Sequence, residues 1–286
     1  MIGKSRRPRS ATDSLAGKVV FVTGAAGGIA LATVEELSLL GANIALIDRD
    51  KSTLEAIVKD LPGNHLGLVA DVGDYLSLQD AVARTVEHFG TIDVVFACAG
   101  IGSASTVAAS DIEALTHIVD INLCGVIRTV KACLTEVIKS QGYVLLMSSA
   151  AALKNVPRAN AYAASKAGVE AFGGALRLEL AHKGVAVGVA HPAWVKTGMI
   201  SGTGARGAES QSLPWPFSVV SSTKECAKFL VRAMSQRKRK VFIPGALAIV
   251  DPLRWLSTGP LWDVFMARRA RRNVIAWEAE MYSQRS

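Results

Sequence analysis

Short, nearly continuous apolar runs alternate along the chain with longer stretches whose apolar residues return at helical period. The runs at residues 18–23, 43–48, 66–70, 92–97 and 143–147 are rich in Val, Ile, Leu and Phe and too short for helices, so they read as buried strands. Between them, the stretch ending at Leu40 and residues 75–89 and 111–139 carry the helical pattern, with Gly41 placed to stop the first helix. Strand and helix in regular alternation imply right-handed crossovers and a parallel sheet covered on both faces, a doubly wound α/β fold of the Rossmann type. In such sheets ligands bind beyond the carboxyl ends of the strands. Gly24, Asp48, Asp71, Gly100, Ser149 and the pair His191-Pro192 all fall at expected strand ends, which points to one functional rim.

The pattern changes at both ends of the chain. Residues 1–14 form a basic arm with Ser and Pro but without the apolar core of a secretion signal, and are expected to be disordered. Residues 15–245 make the single expected α/β domain, followed by a helical extension over 246–286. On a helix over 260–283, Trp262, Met266, Ala270, Val274, Trp277 and Met281 share one stripe, and Arg268, Arg269, Arg271 and Arg272 lie opposite. Such a helix suits a membrane interface, giving a peripheral membrane contact. The alternative is packing onto its own domain or a second subunit, which Glu280 at the stripe's edge favours slightly.

Charge sharpens this division. Of the formal +8, residues 1–14 carry +3, residues 232–240 carry +5 and residues 241–286 carry +2, leaving residues 15–231 at −2. A nearly neutral body without an aromatic RNA-binding motif gives no support to nucleic-acid binding. With half of its 286 residues apolar, the chain can bury one sizeable core. Four cysteines without a C-x-x-C pair and five scattered histidines indicate neither a disulfide framework nor a metal site. No uninterrupted apolar segment is long enough for a transmembrane helix, so a reduced, cytoplasmic protein is expected.

Gly24 through Ala30 lies between a strand and a helix, where glycines let the backbone approach a pyrophosphate met by N–H groups of the helix start. Asp48, 24 residues after Gly24, can accept hydrogen bonds from both ribose hydroxyls of an adenosine and repel a 2′-phosphate; capping the next helix is its alternative role. Tyr162 and Lys166 stand four residues apart on a helix, so phenol and ammonium share a face. The positive charge favours phenolate and turns a tyrosine into a general acid/base. Ser149 ends the strand before them and faces the phenol across a cleft. Plainer roles exist for each group: Ser149 as a cap or turn residue, Asn122 as a satisfied polar group inside a helix, Lys166 as a solvated charge.

Together these motifs resemble the short-chain dehydrogenase/reductase family over about residues 16–245. Thr23 through Ala30 is similar to the family's Thr-Gly-x-x-x-Gly-x-Gly, with Ala30 replacing the last glycine; Asp71-Val72 resembles its strand-end Asp-Val. Ala97-Cys98-Ala99-Gly100 is similar to Asn-Asn-Ala-Gly, and Pro192 through Thr197 to its Pro-Gly and Val-x-Thr segment. The missing asparagines imply a less firmly tied central strand. Asn122, Ser149, Tyr162 and Lys166 match the catalytic tetrad. The resemblance implies a cofactor site built from Gly24, Gly28, Ile29, Asp48, Arg49, Asp71, Val72, Ala99, Gly100, Tyr162, Lys166, Pro192, Val195 and Thr197.

By the same resemblance, Ser149 holds the substrate oxygen, Tyr162 exchanges the proton, Lys166 lowers the phenol pKa and grips the nicotinamide ribose, and Asn122 holds a water leading to solvent. The expected function is hydride transfer between NAD(H) and a secondary alcohol or ketone. An NADPH-dependent ketoreductase, with Arg49 turned to a 2′-phosphate, and a non-catalytic dinucleotide-binding sensor or scaffold are the alternatives. Residues 198–218 lack periodicity and read as a lid, with Met199, Ile200, Leu213, Trp215 and Phe217 as apolar lining. That suggests a bulky apolar substrate such as a steroid, retinoid-like or acyl-lipid alcohol. A homo-oligomer, dimer or tetramer, is expected.

Overall fold

The computed structural model describes residues 15–102, 106–196 and 213–283, without the side chains of residues 268–270, 272–273, 276–277 and 280–282. The N-terminal arm, Thr197, Met199 and Ile200 lie outside the described residues. The strands are β1 (Val19–Thr23), β2 (Asn43–Asp48), β3 (His65–Val69), β4 (Val94–Ala97), β5 (Tyr143–Met147), β6 (Ala186–Pro192), the short β7 (Trp194–Val195) and β8 (Val220–Ser221), and β9 (Lys240–Ile243). Among the described residues, seven of them form a parallel sheet in the order β3-β2-β1-β4-β5-β6-β9, and β7 pairs with β8. The helices are α1 (Gly28–Leu39), α2 (Lys51–Asp60), α3 (Tyr75–Phe89), α4 (Ile112–Val119), α5 (Gly125–Lys139), α6 (Asn160–Leu180), α7 (Thr223–Gln236), α8 (Arg254–Thr258) and α9 (Pro260–Ser283).

Alternation of side chains along each strand builds two cores. Val20, Val22, Val94 and Phe96 pack with Val34 and Leu37 of α1 and Leu230 of α7 on one face. Phe21, Val95 and Ala97 pack with Leu78, Val130 and Leu176 on the other. Burial on both faces is why these strands carry no polar alternation. β1 pairs with β2 on one edge and β4 on the other, so successive connections diverge there and leave a crevice at the carboxyl ends. Gly41, at φ +76°, follows α1 and lets the chain turn back into β2.

The helical pattern over 111–139 resolves into α4, a π-helical turn at Asp120–Cys124, and α5. That widened turn carries Asn122. Gly125, just beyond it, lies so close to β3's continuation that a Cβ there would stand 2.8 Å from Val72 Cγ2.

The C-terminal extension begins with two 3-10 turns, Gly245–Ile249 and Asp251–Leu253, and continues through α8 and α9. Trp262 and Met266 of the expected stripe pack with Ala150, Leu153, Leu213, Phe217 and Leu247, so this end of α9 lies on its own domain. Trp262 Nε1 also donates to Asn155 O at 2.6 Å. Arg271 is exposed, while the side chains of Arg268, Arg269, Ala270, Arg272, Trp277, Glu280 and Met281 are outside those described. Leu261, Val264, Phe265 and Ile275 of α9 are also exposed. Among the described residues, no helix is long and apolar enough to cross a membrane.

One carboxylate fastens the extension to α6. Lys240 Nζ lies 3.0 Å from Glu170 Oε1 and 2.7 Å from Asp251 Oδ2, and Arg254 pairs with Glu170 as well. Burial alone would raise the Glu170 pKa, but His191, Lys240 and Arg254 hold it well below the usual carboxylate range. Arg254 also donates to Ala152 O at 3.0 Å, and Ser257 Oγ to Leu153 O at 2.6 Å. The extension therefore braces the segment between Ser149 and Tyr162.

Candidate active site

A cleft of about 620 Å³ opens where β1, β4, β5 and β6 end. Gly24, at φ +68°, leaves β1 so close to the next strand that a Cβ would stand 2.7 Å from Ala99 Cα. Thr23 Oγ1 accepts from the N–H groups of Cys98 at 3.2 Å and Ala99 at 3.4 Å. The end of β4 is thus tied to β1 without the two asparagines missing at Ala97 and Cys98. Ala30 sits buried in the core behind the turn, leaving the rim unobstructed. α1 then starts after Gly27 with no side-chain cap and no acid in its first turn, an arrangement open to an anion.

Asp48 is fixed at the rim by backbone groups: Oδ2 accepts from Ala26 N at 3.0 Å and Oδ1 from Arg49 N at 2.8 Å. The cap of α2 is Asp50, which accepts from Thr53 N at 3.1 Å; bonds from Thr53 and Ser52 hold its pKa down to about 2. Asp71 Oδ1 accepts from Gly73 N at 2.7 Å. A turn with no room for a Cβ, an uncapped helix start and a carboxylate held at a second strand end fit the pyrophosphate and ribose of a dinucleotide.

The other end of the cleft holds the reactive groups. Lys166, 3 % exposed, donates from Nζ to Met147 O at 2.9 Å, and its Nζ stands 5.9 Å from the centroid of the Tyr162 ring. Burial brings its pKa down to about 8, so the ammonium prevails near neutrality. Ser148 Oγ donates to Lys166 O at 2.7 Å, locking α6 onto the end of β5. Ser149 Oγ accepts from Ala151 N at 3.1 Å, capping the 3-10 turn Ala150–Leu153, and still lines the cleft. Its capping role and its exposure to the cleft are compatible because a hydroxyl both donates and accepts.

Asn122 is fully buried, its Oδ1 accepting from Ile101 N at 2.7 Å and its Nδ2 donating to Ile101 O at 2.9 Å and Ser165 Oγ at 3.2 Å. Its amide therefore fastens the loop after β4 to α6. Gly100 lies directly above: a Cβ there would stand 3.0 Å from Asn122 Oδ1 and 3.3 Å from Lys166 Nζ. Cys98 also lines the cleft, but burial pushes its pKa up to about 12, which keeps the thiol protonated and a poor nucleophile.

Gly24, Gly28, Ile29, Asp48, Arg49, Asp71, Val72, Ala99, Gly100, Ser149, Tyr162, Lys166, Pro192 and Val195 all line this one cleft; Asn122 stands behind it. Thr197 lies outside the described residues. The expected apolar lining is placed differently: Leu213 and Phe217 are buried against Met266 and Trp262, and Trp215 is 64 % exposed. Ile101, Val156, Pro157 and Trp194 form apolar wall in their stead. Lys154, Arg158 and His117 also line the cleft and escaped sequence reading. The available signal for Lys154 was a cation directly after the apolar Ala150–Leu153, between Ser149 and Tyr162.

The family model of the short chain dehydrogenases matches residues 18–206. The chain is 32% identical over 252 residues to the peroxisomal 2,4-dienoyl-CoA reductase of Saccharomyces cerevisiae, covering 85% of this chain and 86% of that one. It is 30% identical over 268 residues to 11-beta-hydroxysteroid dehydrogenase 1A of Arabidopsis thaliana, covering 88% and 73%. Among solved structures, a short chain dehydrogenase from Mycobacterium paratuberculosis bound to NAD superposes with a TM-score of 0.72 at 25% identity, covering 80% of this chain and 97% of that one.

Proposed function

Because the chain belongs to the short chain dehydrogenase family, we propose that it is an NAD(H)-dependent oxidoreductase interconverting a secondary alcohol and its ketone. The observation that carries this reading is the buried Lys166 ammonium beside the Tyr162 ring, with Ser149 lining the same cleft. Gly24, Gly28 and Ile29 would hold the pyrophosphate, Asp48 the adenosine ribose, and Tyr162 and Lys166 the nicotinamide ribose. Bound there, a nicotinamide dinucleotide supplies or accepts the hydride.

The protein's own part is proton transfer and positioning. Ser149 Oγ orients the substrate oxygen; the Tyr162 hydroxyl gives that oxygen its proton in reduction and takes it back in oxidation. Lys166 stabilises the phenolate left behind. Asn122 keeps the Ile101 loop against α6, so that Tyr162 and Lys166 meet the substrate at a fixed distance. The apolar wall of Ile101, Val156, Pro157 and Trp194 supports a substrate with a bulky apolar body, as do the relatives named for a dienoyl-CoA and a hydroxysteroid.

A carboxylate at Asp48 repels a 2′-phosphate, which supports NAD over NADP by at least about tenfold, or about 1.4 kcal/mol. The test is turnover of a panel of apolar alcohols and ketones with both cofactors. Turnover with NAD(H) supports the reading. Turnover confined to NADP(H) would shift it to a ketoreductase using Arg49, and cofactor binding without any turnover would favour a sensor or scaffold.

A further inference from the structure

Between Ser149 and Tyr162 the chain buries a cation for which the reaction has no use. Lys154 is 6 % exposed, and its Nζ stands 4.1 Å from the centroid of the Phe217 ring. The aromatic face meets one side of the ammonium, and the cleft lies on another. Among the described residues, its Nζ makes no hydrogen bond or ion pair. Burial accordingly brings its pKa down to about 7, with no neighbouring carboxylate opposing the shift. Phe217, which covers it, belongs to an apolar cluster with Leu153, Leu247 and Met266, side chains that can neither hydrate nor neutralise a charge.

The acids that line the cleft are confined to one end of it. These acids, Asp48 and Asp71, belong to the two strand ends suited to the dinucleotide, whereas Lys154 and Arg158 lie on the segment that runs from Ser149 to Tyr162. An unneutralised ammonium lining the cleft is a cost to folding unless an anion meets it there. A single cation under an aromatic roof matches a single negative charge; a phosphate dianion would leave excess charge buried.

We propose that Lys154 recognises a carboxylate on the substrate, so that the cleft accepts compounds combining a ketone or secondary alcohol, an apolar body and an acid group. This rests on the oxidoreductase reading above and narrows it from apolar to amphipathic substrates. Arg158 flanks the same wall and adds to the field without being needed for the contact.

The test uses para-acetylbenzoate and its methyl ester, which differ in one charge. Both are titrated by calorimetry into the NAD+-loaded protein, which cannot reduce them, and their reduction is followed separately with NADH through the nicotinamide absorbance. Wild type is expected to bind the acid at least about tenfold more tightly than the ester, with Lys154→Met bringing the two within about threefold and Lys154→Arg keeping the preference. Equal or tighter binding of the ester to wild type, or a preference that survives Lys154→Met, overturns the assignment. Calorimetry does not depend on turnover, so the two readings separate. An acid preference removed by Lys154→Met supports the carboxylate site even if neither compound is reduced, an outcome that counts against the oxidoreductase reading. Reduction of both without such a preference does the reverse.

Discussion

Replacing Lys154 by Met should make the ligand-free protein more stable, by an amount that depends on pH in a defined direction. The ammonium's pKa falls from 10.5 in the unfolded chain to about 7 in the fold because burial disfavours the charged form. Each pH unit between those values corresponds to about 1.4 kcal/mol, so carrying the charge costs about 5 kcal/mol below pH 7. The unfolded chain binds the extra proton between pH 7 and 10.5, so wild-type stability rises over that window and the cost is gone above it. Methionine fills similar space and has no charge to desolvate. Urea unfolding of both proteins near pH 6 and near pH 9 reads the difference through the shift in midpoint. The variant should be the more stable by about 5 kcal/mol near pH 6, the gap narrowing by about 1.4 kcal/mol per pH unit above 7. A variant no more stable than wild type, or a gap that widens with pH, refutes the picture of an uncompensated buried ammonium.

Two further substitutions probe the frame around the site. Asp48→Ala should weaken NAD(H) by about tenfold and bring NADP(H) to within about threefold of it by calorimetry, since the carboxylate is lost while Arg49 remains to meet a phosphate. Glu170→Gln leaves Lys240 and Arg254 without their shared carboxylate and should lower the unfolding free energy by about 3 kcal/mol, with faster amide exchange over residues 254–266. Unchanged exchange there would mean that the extension is held without Glu170, by the apolar contacts of Trp262 and Met266 and the hydrogen bonds of Arg254 and Ser257.

How far such features can be read from the chain depends on how local their causes are. β2 and Asp48 were legible because a buried run announces the strand and the first polar residue after it must lie at the rim. The same reasoning placed Ser149 beyond β5 and Tyr162 one turn before Lys166. The π-helical turn holding Asn122 was not legible, since the apolar residues of 111–139 repeat at helical period straight through it. Lys154 was hidden for a different reason: lysine is seldom buried. Its cover, Phe217 and the C-terminal extension, arrives from far along the chain. Leu213 and Phe217 likewise looked like substrate lining until α9 supplied Trp262 and Met266 for them to pack against. The stripe on α9 was visible in the sequence, but that Trp262 and Met266 at its start cover the domain was decided by the apolar cluster they meet.

The account's central claim is that the Tyr162 hydroxyl is the proton donor and acceptor of a hydride-transfer reaction. Tyr162→Phe keeps the ring beside Lys166 and removes only that hydroxyl. Paired measurement of turnover and of NAD(H) affinity on this variant should give a kcat at least about a hundredfold below wild type with cofactor affinity held within about threefold. Turnover above about a tenth of the wild-type rate would contradict the claim and assign the proton to another group.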